Sequence, residues 1–163
     1  MRKLTIPVVL VLLAALAIVP STAKAVAVDL ELALLVDVSG SVDASEYNLQ
    51  MQGYIDAFNS AAVYNKIAAG NGIAVCMVQW GGVGQESKVV DWTLITGQAS
   101  SQAFATALGS VVRAYSGGGT LTAPGAAINF AVPEFTNGYE GARLAIDVSG
   151  DGSQNDPVNP NPG

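Results

Sequence analysis

Apolar positions fall along this chain in two rhythms. Glu31 to Val38 is apolar almost throughout, which predicts a strand covered on both faces, as in a parallel sheet. The rhythm then changes: Tyr47, Met51, Tyr54, Ile55, Phe58 and Ala62 fall on one helical stripe. Asp43-x-x-Glu46 supplies a capping box at its start, and Gly70-Asn71-Gly72 ends the segment. Ile73 to Trp80 predicts a second buried strand. The turn Gly81-Gly82-Val83-Gly84 leads to a third, Ser87 to Ile95, antiparallel to the second. Phe104, Leu108, Val111, Val112 and Tyr115 make another helical stripe, stopped by Ser116-Gly-Gly-Gly-Thr120. A short helix is expected from Pro124, a residue suited to a first turn, to Val132. Arg143 to Val148 is the fourth strand.

Strand, helix, hairpin, helix, helix, strand describes an α/β fold. The expected architecture is a Rossmann-like open sheet, mostly parallel with one antiparallel edge strand and helices on both faces. Trp80 and Trp92 lie on the two arms of the hairpin and are expected to pack across it.

The ends read differently from the middle. Arg2 and Lys3 precede an apolar run, Leu4 to Val19, which is broken at Pro20 and followed by Ala23-Lys24-Ala25. That is the pattern of an export leader cleaved after Ala25. The run is shorter than the roughly 20 residues a membrane span needs, so no stable membrane insertion is expected after cleavage, and the product is secreted or periplasmic. The expected division is a signal peptide at 1–25, one domain at 26–156 and a loop at 157–163. Three of the seven basic residues, Arg2, Lys3 and Lys24, go with the leader and none of the thirteen acidic ones does, leaving a net charge of −9. Such a balance argues against nucleic acid or anionic lipid as a partner, both of which call for clustered Lys and Arg. Cys76, the only cysteine, sits in an apolar run and is expected to be an inert core residue.

Chemistry concentrates in three oxygen-rich loops. The first strand ends in Asp37-Val-Ser39-Gly-Ser41, whose alternate side chains point one way if the segment is extended. The glycine-rich loop before the short helix carries Thr120 and Thr122, and the fourth strand runs into Ser149-Gly150-Asp151-Gly152. Open α/β sheets place ligand sites at the carboxyl ends of their strands, where strand order reverses. Two carboxylates with several hydroxyls make an oxygen-only site for magnesium, with manganese or calcium as alternatives. Small hydroxyl ligands leave part of the ion's charge uncompensated, so an exposed Asp or Glu of a protein partner could complete the shell. Thr122 stands as a helix cap and as the alternative to Thr120 as a ligand.

This pattern resembles the von Willebrand factor type A domain and its metal-ion-dependent adhesion site, over about residues 29–156. The motif Asp-x-Ser-x-Ser is matched by Asp37, Ser39 and Ser41, the motif threonine by Thr120, and the closing Asp-Gly by Asp151-Gly152. The resemblance implies a metal shell of Asp37, Ser39, Ser41, Thr120 and Asp151, the aspartates acting through water and the hydroxyls directly. It implies a cation-dependent adhesion or interaction module, not an enzyme. The segment Ile146 to Asn155 is similar to a secreted bacterial branch of the superfamily. Two features depart from the pattern. Gly150 stands where Thr or Ser is usual, and two further strands and a C-terminal helix are missing, as in a fragment. The fourth strand is then expected to form an open edge.

Other readings fare worse. With no histidine there is neither a Ser-His-Asp triad nor a histidine zinc site, and no phosphate-binding glycine loop is present. The alternative function is a metal-dependent hydrolase of phosphoesterase type using the same ion to activate water, though no general base stands near the motif. Asp147-x-Ser149-x-Asp151-Gly152 imitates the start of an EF-hand loop but has Val158 at its twelfth position. Asp147 lies inside the last strand, where a hydrogen bond within the sheet is one option, and the sequence assigns it no role.

Overall fold

The computed structural model describes residues 24–115 and 121–156. Most of the expected leader, all of the tail from 157 on, and the glycine-rich loop with Thr120 lie outside the described residues.

Among the described residues ten elements follow in order: β1 (Val26–Val28), β2 (Leu30–Asp37), α1 (Ala44–Asn59), α2 (Ala61–Ala68), β3 (Ile73–Trp80), β4 (Glu86–Ile95), α3 (Gln98–Gly109), α4 (Pro124–Glu134), β5 (Tyr139–Gly141) and β6 (Leu144–Ser149). The main sheet has the order β4-β3-β2-β6. β2 runs parallel to both β3 and β6, and β4 is antiparallel to β3 at the edge. β1 and β5 pair in parallel as a separate two-stranded sheet. Alternation along β2 divides the core into two layers. Leu34 and Val36 pack with Tyr47, Met51 and Phe58 of α1 and Phe104 and Leu108 of α3. Ala33 and Leu35 join Cys76, Val78 and Trp80 beneath Ala127 and Ala131 of α4. Small residues on α4 let that helix lie close to the sheet, while the other layer is filled by large ones. Phe58 and Phe104 meet edge to face at 4.7 Å, a geometry worth about 0.5–1.5 kcal/mol beyond the buried area. The expected mostly parallel sheet with helices on both faces is therefore the observed one.

Four local expectations are corrected. The first helical stripe is two helices, because Ser60 is extended (φ −73°, ψ 129°) and serves both as the C-cap of α1 and the residue before α2. The second stripe ends at Gly109: Val111 is in the core layer, but Val112 is 83% exposed and Tyr115 has φ +52°. Glycine followed closely by two β-branched valines makes continuation of that helix unfavourable. The Asp147 side chain does not bond within the sheet, although its backbone is part of β6. Its carboxylate accepts a 2.9 Å hydrogen bond from the Tyr54 hydroxyl of α1, and its place within β6 removes the EF-hand reading. The tryptophans both belong to the α4 layer, yet Trp92 meets Phe135, with ring centres 5.3 Å apart. β1 and β5, three residues each, are too short to have left a periodic signal.

The capping box is present, with Asp43 accepting from the Ser45 and Glu46 amides and Glu46 accepting from the Asp43 amide. Burial holds the Cys76 thiol up at about pKa 12, in keeping with an inert core residue. β6 forms the sheet edge opposite β4. No helix among the described residues is long and apolar enough to cross a membrane.

Candidate metal centre

Strand order reverses at β2: the chain moves from it to β3 on one side and returns to β6 on the other. Register places Asp37 beside Trp80 and Val36 beside Ser149, so the carboxyl ends of β2 and β6 open into the same crevice. Asp37 and Ser39 continue the face of Ala33 and Leu35, the side covered by α4. The segment entering α4 therefore reaches the same point.

Four of the five expected ligands lie within the described residues, and a chain of hydrogen bonds connects them. The Ser39 amide donates to Asp37 Oδ1 at 2.7 Å. The Ser39 and Ser41 hydroxyls are 3.2 Å apart, and Ser41 donates to Asp151 Oδ1 at 2.9 Å. Thr120 lies outside the described residues. Its neighbour Thr122 is buried, with its hydroxyl donating to Ser39 Oγ at 3.2 Å. Thr122 is no helix cap: Ala123 holds the N-cap position and no side chain caps α4. Asn155 pins this threonine, its Oδ1 accepting from the Thr122 amide at 2.7 Å while its own amide donates to the Thr122 carbonyl at 3.0 Å. The loop after β6 is thereby tied to the loop before α4.

Whether a cation suits this ring can be judged from Asp37. Its side chain is fully buried, and Oδ2 has no hydrogen-bond partner among the described residues. A buried carboxylate oxygen without a partner costs several kcal/mol in order of magnitude, a deficit that a cation or its water would remove. Gly150 keeps the space open: a Cβ there would lie 2.7 Å from Asp37 Oδ2 and 3.2 Å from Trp80 Cζ2. The glycine that departs from the usual Thr or Ser thus has a local cause. Burial is the main reason that the Asp37 carboxyl is held above its ordinary pKa. The Asp151 charge adds to this, while hydrogen bonds from Ser39 and the charge of Arg113 oppose it. Among the described residues no three His, Cys, Asp or Glu side chains cluster. The donor set is two carboxylates and three hydroxyls, which fits a hard cation that keeps some water and does not fit zinc or copper.

Arg113 carries no motif signal in the sequence, where it falls between Val112 and Tyr115 of what looks like a helical stripe. Its Nη2 donates to the carbonyls of Val38, Ser39 and Val42 at 3.1, 3.2 and 2.7 Å. The guanidinium carbon stands 5.3 Å from the centre of the Tyr47 ring. Behind it, Gln79 donates to the Tyr47 hydroxyl at 2.8 Å and accepts from the Ala114 amide at 2.6 Å. A lone arginine beside a glycine-rich loop is the one signal that could have drawn attention to it.

Beside the ring runs a groove of about 340 Å³ lined by Val42, Glu46, Gln50, Val148, Ser149, Gly150 and Asp151. The exposed members of the ring, Ser41 and Asp151, thus stand next to a concave surface.

No curated protein matches the chain. Among solved structures it is similar to the vWF domain of the type V pili tip protein Mfa5 from Porphyromonas gingivalis, at 12% identity and a TM-score of 0.46, over 73% of this chain. It spans about a third of that chain's length, 36%. Residues 27–162 match the family described as protein of unknown function DUF1194, a stretch that takes in the sheet, both helix layers and the whole oxygen ring. The chain belongs to that family.

Proposed function

We propose that the protein is an exported interaction module that grips an acidic side chain of a partner protein through a divalent cation, magnesium before manganese or calcium. The observation that carries this reading is the orphan Oδ2 of buried Asp37, facing the space that Gly150 leaves open. Asp37, Ser39, Ser41 and Asp151 would hold the ion, with Thr120 or Thr122 as the hydroxyl from the third loop. When bound, a dication there supplies a Lewis-acidic position that a carboxylate can fill. The residues do the rest. Asp37 anchors the shell from the buried side, the three hydroxyls contribute oxygens without charge, and Asp151 stands at the exposed rim. With only two carboxylates among its ligands, the shell would leave part of the dication's charge uncompensated. The partner's anion is therefore not repelled by excess negative charge. Export is supported by the leader pattern at 1–25.

Isothermal titration of the native protein with magnesium and with manganese, against an Asp37→Ala variant, tests the reading. Heats that saturate for the native protein and vanish for the variant are expected. Equal heats for both would overturn it. The hydrolase alternative would need a general base beside the ion, and the sequence has no histidine to serve as one.

A further inference from the structure

We infer that Arg113 is the positioning and selectivity-determining residue of the centre, setting which oxygens of the first loop are available to a cation. The inference rests on the cation reading above. The loop from Val38 to Val42 offers two kinds of oxygen, the hydroxyls of Ser39 and Ser41 and its backbone carbonyls. Arg113 Nη2 takes three of those carbonyls, from Val38, Ser39 and Val42, and the Ser39 carbonyl also accepts from the Val42 amide at 3.2 Å. The hydroxyls of Ser39 and Ser41 are left to one another, Thr122 and Asp151. The arginine is itself held in place. The Tyr47 ring lies against the guanidinium, and the Ala114 amide next to it in sequence is fastened to buried Gln79.

Occupied carbonyls affect metal choice. Calcium takes six to eight oxygens in flexible geometry and commonly recruits backbone carbonyls, whereas magnesium and manganese accept six in near-octahedral array. A clamp that withdraws three loop carbonyls and fixes the hydroxyls disfavours calcium and suits the smaller ions. Arg113 touches neither ion nor partner in this scheme; it acts through the loop.

The test is a pair of titrations, manganese and calcium, on the native protein and on Arg113→Met, with far-UV circular dichroism as the check on folding. The native protein is expected to bind manganese at least about tenfold more tightly than calcium. In Arg113→Met, manganese affinity should fall by about 10–100-fold, the range for loss of an outer-shell partner, while calcium affinity falls less, so that the ratio narrows. A merely structural role would weaken both ions in parallel; that result, or an unchanged variant, overturns the inference. Should Arg113→Met fail to fold, Arg113→Gln, which keeps one amide donor, takes its place. A narrowed ratio then supports the clamp and an unchanged ratio overturns it. If the native protein binds neither ion, it is the cation reading that has failed, and the inference falls with it.

Discussion

Strand β2 carries a buried carboxylate near each end, and the two could hardly be treated more differently. Glu31, 2% exposed, is fully partnered: Oε1 accepts from the Gly141 amide at 2.7 Å and Oε2 from Asn137 Nδ2 at 2.8 Å. Asp37, six residues on and 0% exposed, has one oxygen served by the Ser39 amide and the other by nothing among the described residues. Each carboxylate lies against a glycine from the last third of the chain. A Cβ on Gly141 would come within 3.0 Å of Glu31 Cγ, and one on Gly150 within 2.7 Å of Asp37 Oδ2. Gly141, however, gives its amide to Glu31, whereas Gly150 gives Asp37 only room. Burial alone does not mark a site. What marks it is burial with a hydrogen-bonding capacity left open, because only that leaves free energy for a ligand to recover.

Asp37→Asn should break the contrast most sharply. The amide keeps the shape and the acceptor for Ser39 but removes the charge. Cation affinity should fall by more than about 100-fold, beyond the range for outer-shell partners, as read by calorimetry. In chelator the same variant should be more stable than the native protein, by about 1–2 kcal/mol in urea unfolding, since an unpaired buried charge has gone. A less stable metal-free variant would mean that Asp37 is satisfied after all.

Glu31→Ala should do the reverse. It strands the Asn137 amide and the Gly141 N–H at the junction of β2 with β5, so a loss of about 3 kcal/mol is expected, with cation affinity at 25 °C unchanged. Loss of affinity in a folded Glu31→Ala protein would erase the distinction between the two ends.

Gly150→Ala comes next. Its Cβ must push Asp37 Oδ2 or Trp80 aside, and overpacking of this kind costs about 1–3 kcal/mol. Because the affected atom is the orphan oxygen, cation affinity should drop about tenfold, which manganese titration would detect.

The smallest effect is on pH. Asp37 is held above its ordinary pKa in the folded, metal-free protein. The folded state therefore takes up this proton at a higher pH than the unfolded chain. Above both values the ionised group subtracts from stability, and as pH falls through the folded value that penalty is relieved. The stability advantage of Asp37→Asn over the native protein in chelator should accordingly shrink from neutral pH into the carboxylate range. Cation binding to the native protein should weaken over the same interval. An advantage that does not change with pH would count against burial as the origin of the shift.

Much of this was legible in the chain. Ile73–Trp80 emerged as a strand with the observed bounds, because an eight-residue stretch that is apolar except for Gln79, between Gly-rich turns, leaves few alternatives. Asp43 and Glu46 capped the helix as their spacing required. The Asp37 to Ser41 run identified itself through alternation at a strand end. Other features depended on contacts distant in sequence. Val111, Val112 and Tyr115 kept helical spacing where no helix forms, since periodicity does not register a chain leaving a helix to deliver Arg113 to a loop more than 70 residues back. Thr122 read as a cap because its other partner, Ser39, is 83 positions away. Gly150 read as a departure from a motif until the position of Asp37 explained it.

Local rules, acting over a few residues, were enough for the sequence to determine the layered α/β class, the order of the main strands, the capped first helix and the oxygen-bearing loops. Hydrophobic periodicity and capping are short-range effects, so they survive in a linear reading. Only the tertiary structure decided that Asp37 is buried with an oxygen unpaired, that Glu31 is not, and that Gly150, Thr122, Asn155 and Arg113 surround the first loop. Those facts depend on which strand lies beside which, and the free energy of a buried polar group is fixed by its neighbours in space.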